Sequence, residues 1–210
     1  LAWKAVLWLS ASYLIGSIPF GLLVSRFVFG KDIRKMGSGN IGATNILRNF
    51  GFQPFLAVML LDMAKGIAAV KIGEALGLPA SLALAAGLLA IVGHNWSVYL
   101  RFKGGKGIAT SGGVIIAAYP WTVTLSVVGV FLVMVLLTRI MSVGSLSAAL
   151  VFPLSSLYFF SGDLGTYWPH VVVAVLACFF AFYRHRENIH RLFRGQEPRL
   201  SLRKAKAGGA

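Results

Sequence analysis

Apolar residues run along this chain in long blocks, without the regular polar interruptions of a soluble helix or strand, and short polar segments separate the blocks. We place them at 3–28, 54–72, 78–97, 108–119, 121–138, 143–160 and 166–184. Most reach the roughly 20 apolar residues that an α-helix needs to cross a bilayer. The pattern predicts an all-α integral membrane protein of about seven transmembrane helices. The block at 108–119 is the short one. Read as a single helix, 108–138 would extend about 45 Å, well past a hydrocarbon core of about 30 Å. Pro120 supplies a break, because its φ is preset for the first turn of a new helix and its neighbours Tyr119 and Trp121 suit a membrane interface. The 108–119 helix is then tilted, re-entrant or shielded by its neighbours.

The composition agrees with that class: 57% hydrophobic residues, 12% charged residues and a mean hydropathy of +0.77 lie far from soluble averages. The placement of charge adds orientation. With the break at Pro120, nearly all of the 20 Lys and Arg residues fall on one side, leaving Lys4 and Lys71 on the other and Lys65 inside a block. The positive-inside rule makes the crowded side cytoplasmic and puts the N-terminus outside and the C-terminus in the cytoplasm. Without the break, the loops carrying Lys103 and Arg139 would lie on opposite sides, so the asymmetry supports the split. The net charge of +14 is accordingly read as topological bias and attraction to anionic lipid, not as a nucleic-acid footprint.

Other features narrow the chemistry. Cys178 is the only cysteine and lies within an apolar block, which suits packing better than nucleophilic attack and excludes a disulfide framework. The opening apolar stretch reads as a span, not a cleavable leader. Asp62 and Lys65, three apart in the second block, are expected to pair across one helix turn. The domain assignment is 1–197 as one polytopic membrane unit and 198–210 as a disordered basic tail, part of it suggestive of an expression scar.

Three polar segments on the basic side carry candidate chemistry. The first, Gly37-Ser38-Gly39-Asn40-Ile41-Gly42-Ala43-Thr44-Asn45-Ile46-Leu47-Arg48, combines glycines that let backbone N–H groups converge, short neutral donors and a guanidinium able to grip an anion. An ordinary flexible connector shares much of that composition. In the second, Lys103-Gly104-Gly105-Lys106-Gly107-Ile108-Ala109-Thr110 opens onto a helix, adding helix-terminus N–H groups to ammonium charge. It lacks the spacing of a Walker A loop, which disfavours nucleotide hydrolysis. The third begins Arg184-His185-Arg186-Glu187-Asn188. On a helix, His185 and Asn188 would share a face with Arg191 and Leu192, and Gly195 would cap its end. A basic helix lying on anionic lipid accounts for His190 and Arg194.

In this order the segments resemble the bacterial acyl-phosphate-dependent glycerol-3-phosphate acyltransferase family. The resemblance begins at Gly16-Ser17-Ile18-Pro19-Phe20-Gly21 and continues through Asp32-Ile33-Arg34 and the 37–48 loop. It includes His94 with Phe102-Lys103-Gly104-Gly105-Lys106-Gly107, and ends with His185, Asn188-Ile189, Arg191-Leu192 and Gly195-Gln196-Glu197. Ser97 departs from it, because the family often carries proline there.

The resemblance implies transfer of a fatty acyl group from acyl phosphate to glycerol 3-phosphate in the bacterial inner membrane, with no cofactor and no metal. It casts Lys106, His185 and Arg48 as catalytic. Ser38, Gly39, Asn40, Thr44, Asn45, Lys103, Gly104, Gly105, Gly107, Thr110 and Asn188 would bind substrate, and Glu197 would be structural. His185, His94 and the donor's own phosphate are all candidates for the general base. An organic-phosphate transporter or lipid flippase would share the basic loops, but would be expected to show repeat symmetry and broken helices at the bilayer midplane. A membrane-anchored anion-binding regulator would need no access for an acyl chain.

Overall fold

The computed structural model describes residues 2–200. Every regular element among them is helical: α1 (Ala2–Ser17), α2 (Phe20–Phe29), α3 (Ala43–Phe50), α4 (Phe52–Ala75), α5 (Ala80–Asn95), α6 (Ile108–Ala118), α7 (Trp121–Thr138), α8 (Met141–Phe160), α9 (Leu164–Arg184) and α10 (Arg186–Phe193), with short 3-10 turns between some of them. The apolar blocks correspond to α1 with α2, then α4, α5, α6, α7, α8 and α9.

By length and composition, Ala80–Leu100, Trp121–Thr138 and the 44-residue stretch Met141–Arg184 are apolar enough to cross a membrane. That last stretch folds back on itself, with α8 and α9 packed side by side. The α4 helix has the length, at 24 residues, and its charged Asp62 and Lys65 point into the bundle.

The first block differs from expectation. It is two helices, bent by 42°, because Pro19 cannot continue the amide ladder of α1 and instead leads α2. The break at Pro120 falls where the sequence placed it: α6 ends at Ala118 and α7 begins at Trp121. At about 1.5 Å per residue, the 11 residues of α6 are too short to span a hydrocarbon core. Neighbours shield it: Gly113 is pressed against the Met63 backbone of α4, and Val114 is fully buried against Gly87 of α5.

Small residues set these approaches. A Cβ at Gly16 would come within 2.2 Å of the Ala90 carbonyl oxygen, and one at Gly66 within 2.3 Å of that of Thr110. Hydrophobic attraction between helices is weak in lipid, so close backbone packing of this kind takes over.

The polar segments gather at one end of the bundle. Arg184, at the end of α9, bonds Gly104 and Gly105 before α6, and Arg48 of α3 reaches Pro198. Leu200 donates its N–H to the Arg139 carbonyl at 2.7 Å. Residues 198–200 are therefore packed against the α7–α8 turn, which corrects the tail boundary drawn at 198; residues 201–210 lie outside the described residues. Around this same end Phe27, Tyr99, Phe102 and Phe193 are exposed, Phe193 at 89%.

Candidate active site

The lysine–glycine turn is held from two sides. Gly105 N–H donates to the His94 carbonyl at 2.8 Å, and Gly104 N–H to the Asn95 carbonyl at 3.2 Å, docking the turn on the end of α5. Arg184 then donates from Nε to the Gly105 carbonyl and from Nη2 to that of Gly104, each at 2.8 Å, and its guanidinium lies over the Trp96 ring. Next, Gly107 takes φ +77°, which a side chain would strain, and leads straight into α6. Among the described residues, the Lys106 and Gly107 N–H groups have no backbone acceptor. They continue into the unpaired N–H groups of the first turn of α6, a ready anion cradle.

Lys106 reaches from this turn to Asn188 Oδ1. The Asn188 amide in turn donates to Glu197 Oε1 at 2.5 Å, which also accepts from Ser142 Oγ at 2.8 Å, while Glu197 Oε2 accepts from Arg191 Nε at 2.7 Å. A chain reversal makes this possible. Gly195 N–H bonds the Leu192 carbonyl and Gln196 N–H that of Arg191, at φ +65° for Gly195, the paired bonds of a Schellman turn. Glu197 is thereby folded back onto the face of α10 that carries Asn188 and Arg191. Gly195 caps the helix as the sequence predicted.

Burial pushes the Lys106 ammonium down to about 8; Arg191 and Arg48 add to the effect and Glu197 opposes it. Burial alone would raise the Glu197 carboxyl, but hydrogen bonds from Asn188, Ser142 and Arg191 outweigh it and hold it below its ordinary value. The cations Lys106, Arg48 and Arg191 are therefore grouped about Glu197, with Glu187 a weaker second carboxylate, and positive charge is left over. Arg48 Nε is buried without a partner, so a donor is available to an anion.

His185 sits at the junction of α9 and α10, where Nδ1 contacts the Ala181 carbonyl at 2.7 Å. It is the N-cap residue of α10, three residues ahead of Asn188, and its carbonyl accepts the Ile189 N–H at 2.8 Å. Burial, reinforced by the Lys106 charge, pushes it down to about 4. The ring is thus neutral near pH 7, and its proton sits on Nδ1 because a carbonyl can only accept. Nε2 is left as an acceptor for a hydroxyl.

The glycine-rich segment is built around Asn45. Its Nδ2 donates to the carbonyls of Met36 at 3.0 Å and Asn40 at 2.8 Å, and its Oδ1 accepts from Ser38 N–H at 3.1 Å. Asn40 Oδ1 accepts from Gly42 N–H at 2.8 Å, opening α3. At the start of the segment, Asp32 is held well below the usual carboxylate range, chiefly by Arg34 and also by Arg26.

Residues 6–195 match the family model described as glycerol-3-phosphate acyltransferase. The chain belongs to that family. Among its relatives, the glycerol-3-phosphate acyltransferase of Desulforudis audaxviator (strain MP104C) is 46% identical over 203 residues, 97% of this chain and 99% of its own. That of Prochlorococcus marinus (strain NATL2A) is 44% identical over 188 residues, 90% and 94% respectively. A solved structure of PlsY (YgiH), an integral membrane glycerol 3-phosphate acyltransferase in its glycerol 3-phosphate form, superposes with a TM-score of 0.84 at 35% identity. That match covers 94% of this chain and 96% of that one. The lysophosphatidic acid form of PlsY gives 0.81 at 34%.

Within this acyltransferase fold, the residues singled out from sequence take distinct places. Lys106, Asn188 and Glu197 form one connected cluster, and Arg48 approaches it through Pro198 at 3.4 Å. Ser38, Gly39 and Lys103 are exposed, and Asn40 and Thr44 are half-buried. Asn45 differs from expectation: its amide braces the loop. Gly104 and Gly105 differ as well, because both N–H groups are engaged by α5 and the free donors begin one residue later. Thr110 is fully buried where α6 meets α4 and is closed to solvent.

His94, the other candidate base, has Nδ1 against Lys65 and its ring under Gly105. Two contributors escaped sequence reasoning. Ser142 opens α8 with no motif around it, and Arg184 looked like one more charge on the basic side.

Proposed function

We propose that this acyltransferase moves a fatty acyl group from acyl phosphate to the 1-hydroxyl of sn-glycerol 3-phosphate, giving 1-acylglycerol 3-phosphate (lysophosphatidic acid) and inorganic phosphate. The observation that carries the proposal is the cation cluster Lys106–Arg48–Arg191 beside the free N–H groups of 106–107, at one end of an apolar bundle. Two phosphate-bearing substrates require such charge, and an acyl phosphate is already activated for attack.

The glycerol oxygen attacks the acyl carbonyl carbon, the bond from that carbon to the bridging phosphate oxygen breaks, and the hydroxyl proton passes to the departing phosphate. Lys106 and the α6 amino-terminal N–H groups stabilise the carbonyl oxyanion and the leaving phosphate. Arg48, Ser38 and Lys103 hold the phosphate of the acceptor. Asn188 and His185 Nε2 align its hydroxyls. A pKa of about 4 makes His185 a weak base and favours an orienting role, with the donor phosphate taking the proton. Glu197 braces this arrangement, and no step calls for a cofactor.

The crowding of Lys and Arg at this end supports a cytoplasmic active face in a bacterial inner membrane, seven membrane segments of which α6 is the short one shielded by its neighbours, and an external N-terminus. The acyl chain then enters sideways from lipid.

The deciding assay is release of phosphate from acyl phosphate by purified protein. Release that requires glycerol 3-phosphate and yields lysophosphatidic acid is expected, whereas a transporter or an anion-binding regulator would give none. Cys178 lies within the apolar helix α9 and takes no part in the hydrogen-bonded cluster, so Cys178→Ala should retain full activity. With acceptor omitted there should be no stoichiometric phosphate burst; a burst with acyl label retained on the protein would establish a covalent route instead.

The pH dependence tests Lys106. Its folded-state value of about 8 leaves the ammonium charged below that pH and lost above it. Because kcat/KM reports the free enzyme, it should fall with an apparent pKa of about 8. A flat profile up to about pH 10, near the ordinary lysine value, would show instead that the ammonium is not held at a lowered pKa.

A further inference from the structure

Directly beneath the lysine–glycine turn lies a second polar cluster that the chemistry above does not use. Asp62 and Lys65 on α4 and His94 on α5 are 2%, 3% and 5% exposed. Lys65 Nζ lies 2.9 Å from Asp62 Oδ1, 2.9 Å from the Ile18 carbonyl and 2.9 Å from His94 Nδ1. Two of these contacts, to the Ile18 carbonyl and to His94 Nδ1, are hydrogen bonds, and the third is an ion pair with Asp62. The Asp62 carboxylate neutralises an ammonium that would otherwise be costly inside the bundle. Ile18 stands at the break between α1 and α2, where its carbonyl accepts the Phe20 N–H at 3.2 Å as well as the Lys65 ammonium, and a cation is favoured at the carboxy-terminal end of α1. One side chain on α4 therefore ties the α1–α2 break to α5.

The same ammonium orients the imidazole. His94 Nδ1 faces both the ammonium at 2.9 Å and Asp62 Oδ1 at 3.4 Å; against the nearer lysine, which only donates, Nδ1 accepts and the ring proton is assigned to Nε2. That edge of the ring supports the turn: a Cβ at Gly105 would come within 2.1 Å of Nε2, and the His94 carbonyl accepts the Gly105 N–H. Gly105 does not adopt positive φ, so the obstacle to a side chain there is the imidazole. At Gly104 the obstacle is backbone, with the His94 carbonyl oxygen 2.1 Å from an added Cβ.

We propose that Asp62, Lys65 and His94 are a positioning unit for acyl transfer, setting the height of the 104–106 turn, and hence of the Lys106 ammonium, from inside the membrane bundle. The proposal rests on the acyltransferase function above and assigns the buried cluster to it. Its chemistry is mechanical: the unit touches no substrate, and it carries the geometry of three helices to one turn. A misplacement of about 1 Å at a reacting group is enough to cost about 10²-fold in rate.

A double-mutant cycle tests it. Wild type, Lys65→Met, His94→Ala, His94→Gln, Gly105→Ala, Gly104→Ala, and His94→Ala combined with each glycine variant are purified in detergent. Thermal midpoint, kcat and KM for glycerol 3-phosphate are then measured. Lys65→Met and His94→Ala should each lower kcat about 10-fold or more, and Gly105→Ala about 10²-fold. Adding His94→Ala to Gly105→Ala should restore kcat several-fold, because the new methyl enters the space the ring vacates. It should restore nothing to Gly104→Ala, whose clash is with backbone. His94→Gln, whose amide oxygen can still accept from Lys65, should retain more kcat than His94→Ala.

Strict additivity at 94 and 105, or recovery of the thermal midpoint without kcat, would reduce the cluster to a packing feature and overturn the proposal, as would equal kcat in the Gln and Ala variants. Absence of phosphate release by the wild type itself would instead overturn the acyltransferase assignment.

Discussion

Lys106→Ala is expected to lower kcat by about 10²- to 10³-fold, the loss that follows removal of one preorganised donor to a developing oxyanion, while the protein stays folded and membrane-inserted. The turn that carries Lys106 is fixed by backbone bonds to His94 and Asn95 and by Arg184, none of which involves the lysine side chain. Removing the ammonium should therefore leave the N–H cradle of 106–107 in place. Its partner Asn188 keeps a hydrogen bond to Glu197, so truncation leaves a single acceptor without its donor. Phosphate release and the thermal midpoint, measured on the same preparation, check both halves of the expectation. A variant with wild-type kcat would show that the charge at this position does not act on the transition state.

Glu197→Ala should do different damage. Glu197 is the common acceptor for Ser142, Asn188 and Arg191, so its loss strands three donors at the junction of α8, α10 and the carboxy-terminal strap. Each buried donor left unpaired costs about 1–3 kcal/mol. The expected result is a lowered thermal midpoint together with at least about a 10²-fold loss in kcat/KM, because Asn188 and Lys106 lose their common anchor. Glu197→Gln separates charge from shape: its amide oxygen still accepts from Ser142 and Asn188, but it no longer neutralises Arg191. It should fall between wild type and the alanine variant in both measurements. An alanine variant with unchanged midpoint and activity would show that the strap is not what holds α10.

Much of this was legible in the order of residues because apolar length and proline placement act locally. Pro120 sits between two runs that are jointly too long for a membrane, so its break could be read from length alone. Pro19 sits inside a run of acceptable length, so the bend it makes was hidden. The segments proposed to hold phosphate were visible as glycine beside lysine and arginine. The faces their backbones present were not. Gly104 and Gly105 advertise free N–H groups in sequence, yet docking on α5 consumes both, and the open donors begin at Lys106. Asn45 looked like a ligand-binding amide because its type permits that. The tertiary fold instead surrounds it with loop carbonyls and an N–H from Ser38, which no spacing rule reveals. Glu197 was recognisable as a brace, but its bond to Ser142 crosses 55 residues and could come only from the fold.

The exposed aromatic side chains Phe27, Tyr99, Phe102 and Phe193 belong to the segments at the end that carries the site, and aromatic side chains of this kind settle at the boundary between headgroups and hydrocarbon. A protein anchored there searches a surface for its acylated partner and a volume for the soluble one. For the first, the effective concentration is a mole fraction within the leaflet, unaffected by how much water surrounds the membrane; for the second it is moles per litre. The two proposed substrates are thus encountered in different dimensionalities, and the product, already at lipid depth, can diffuse away laterally without passing through water.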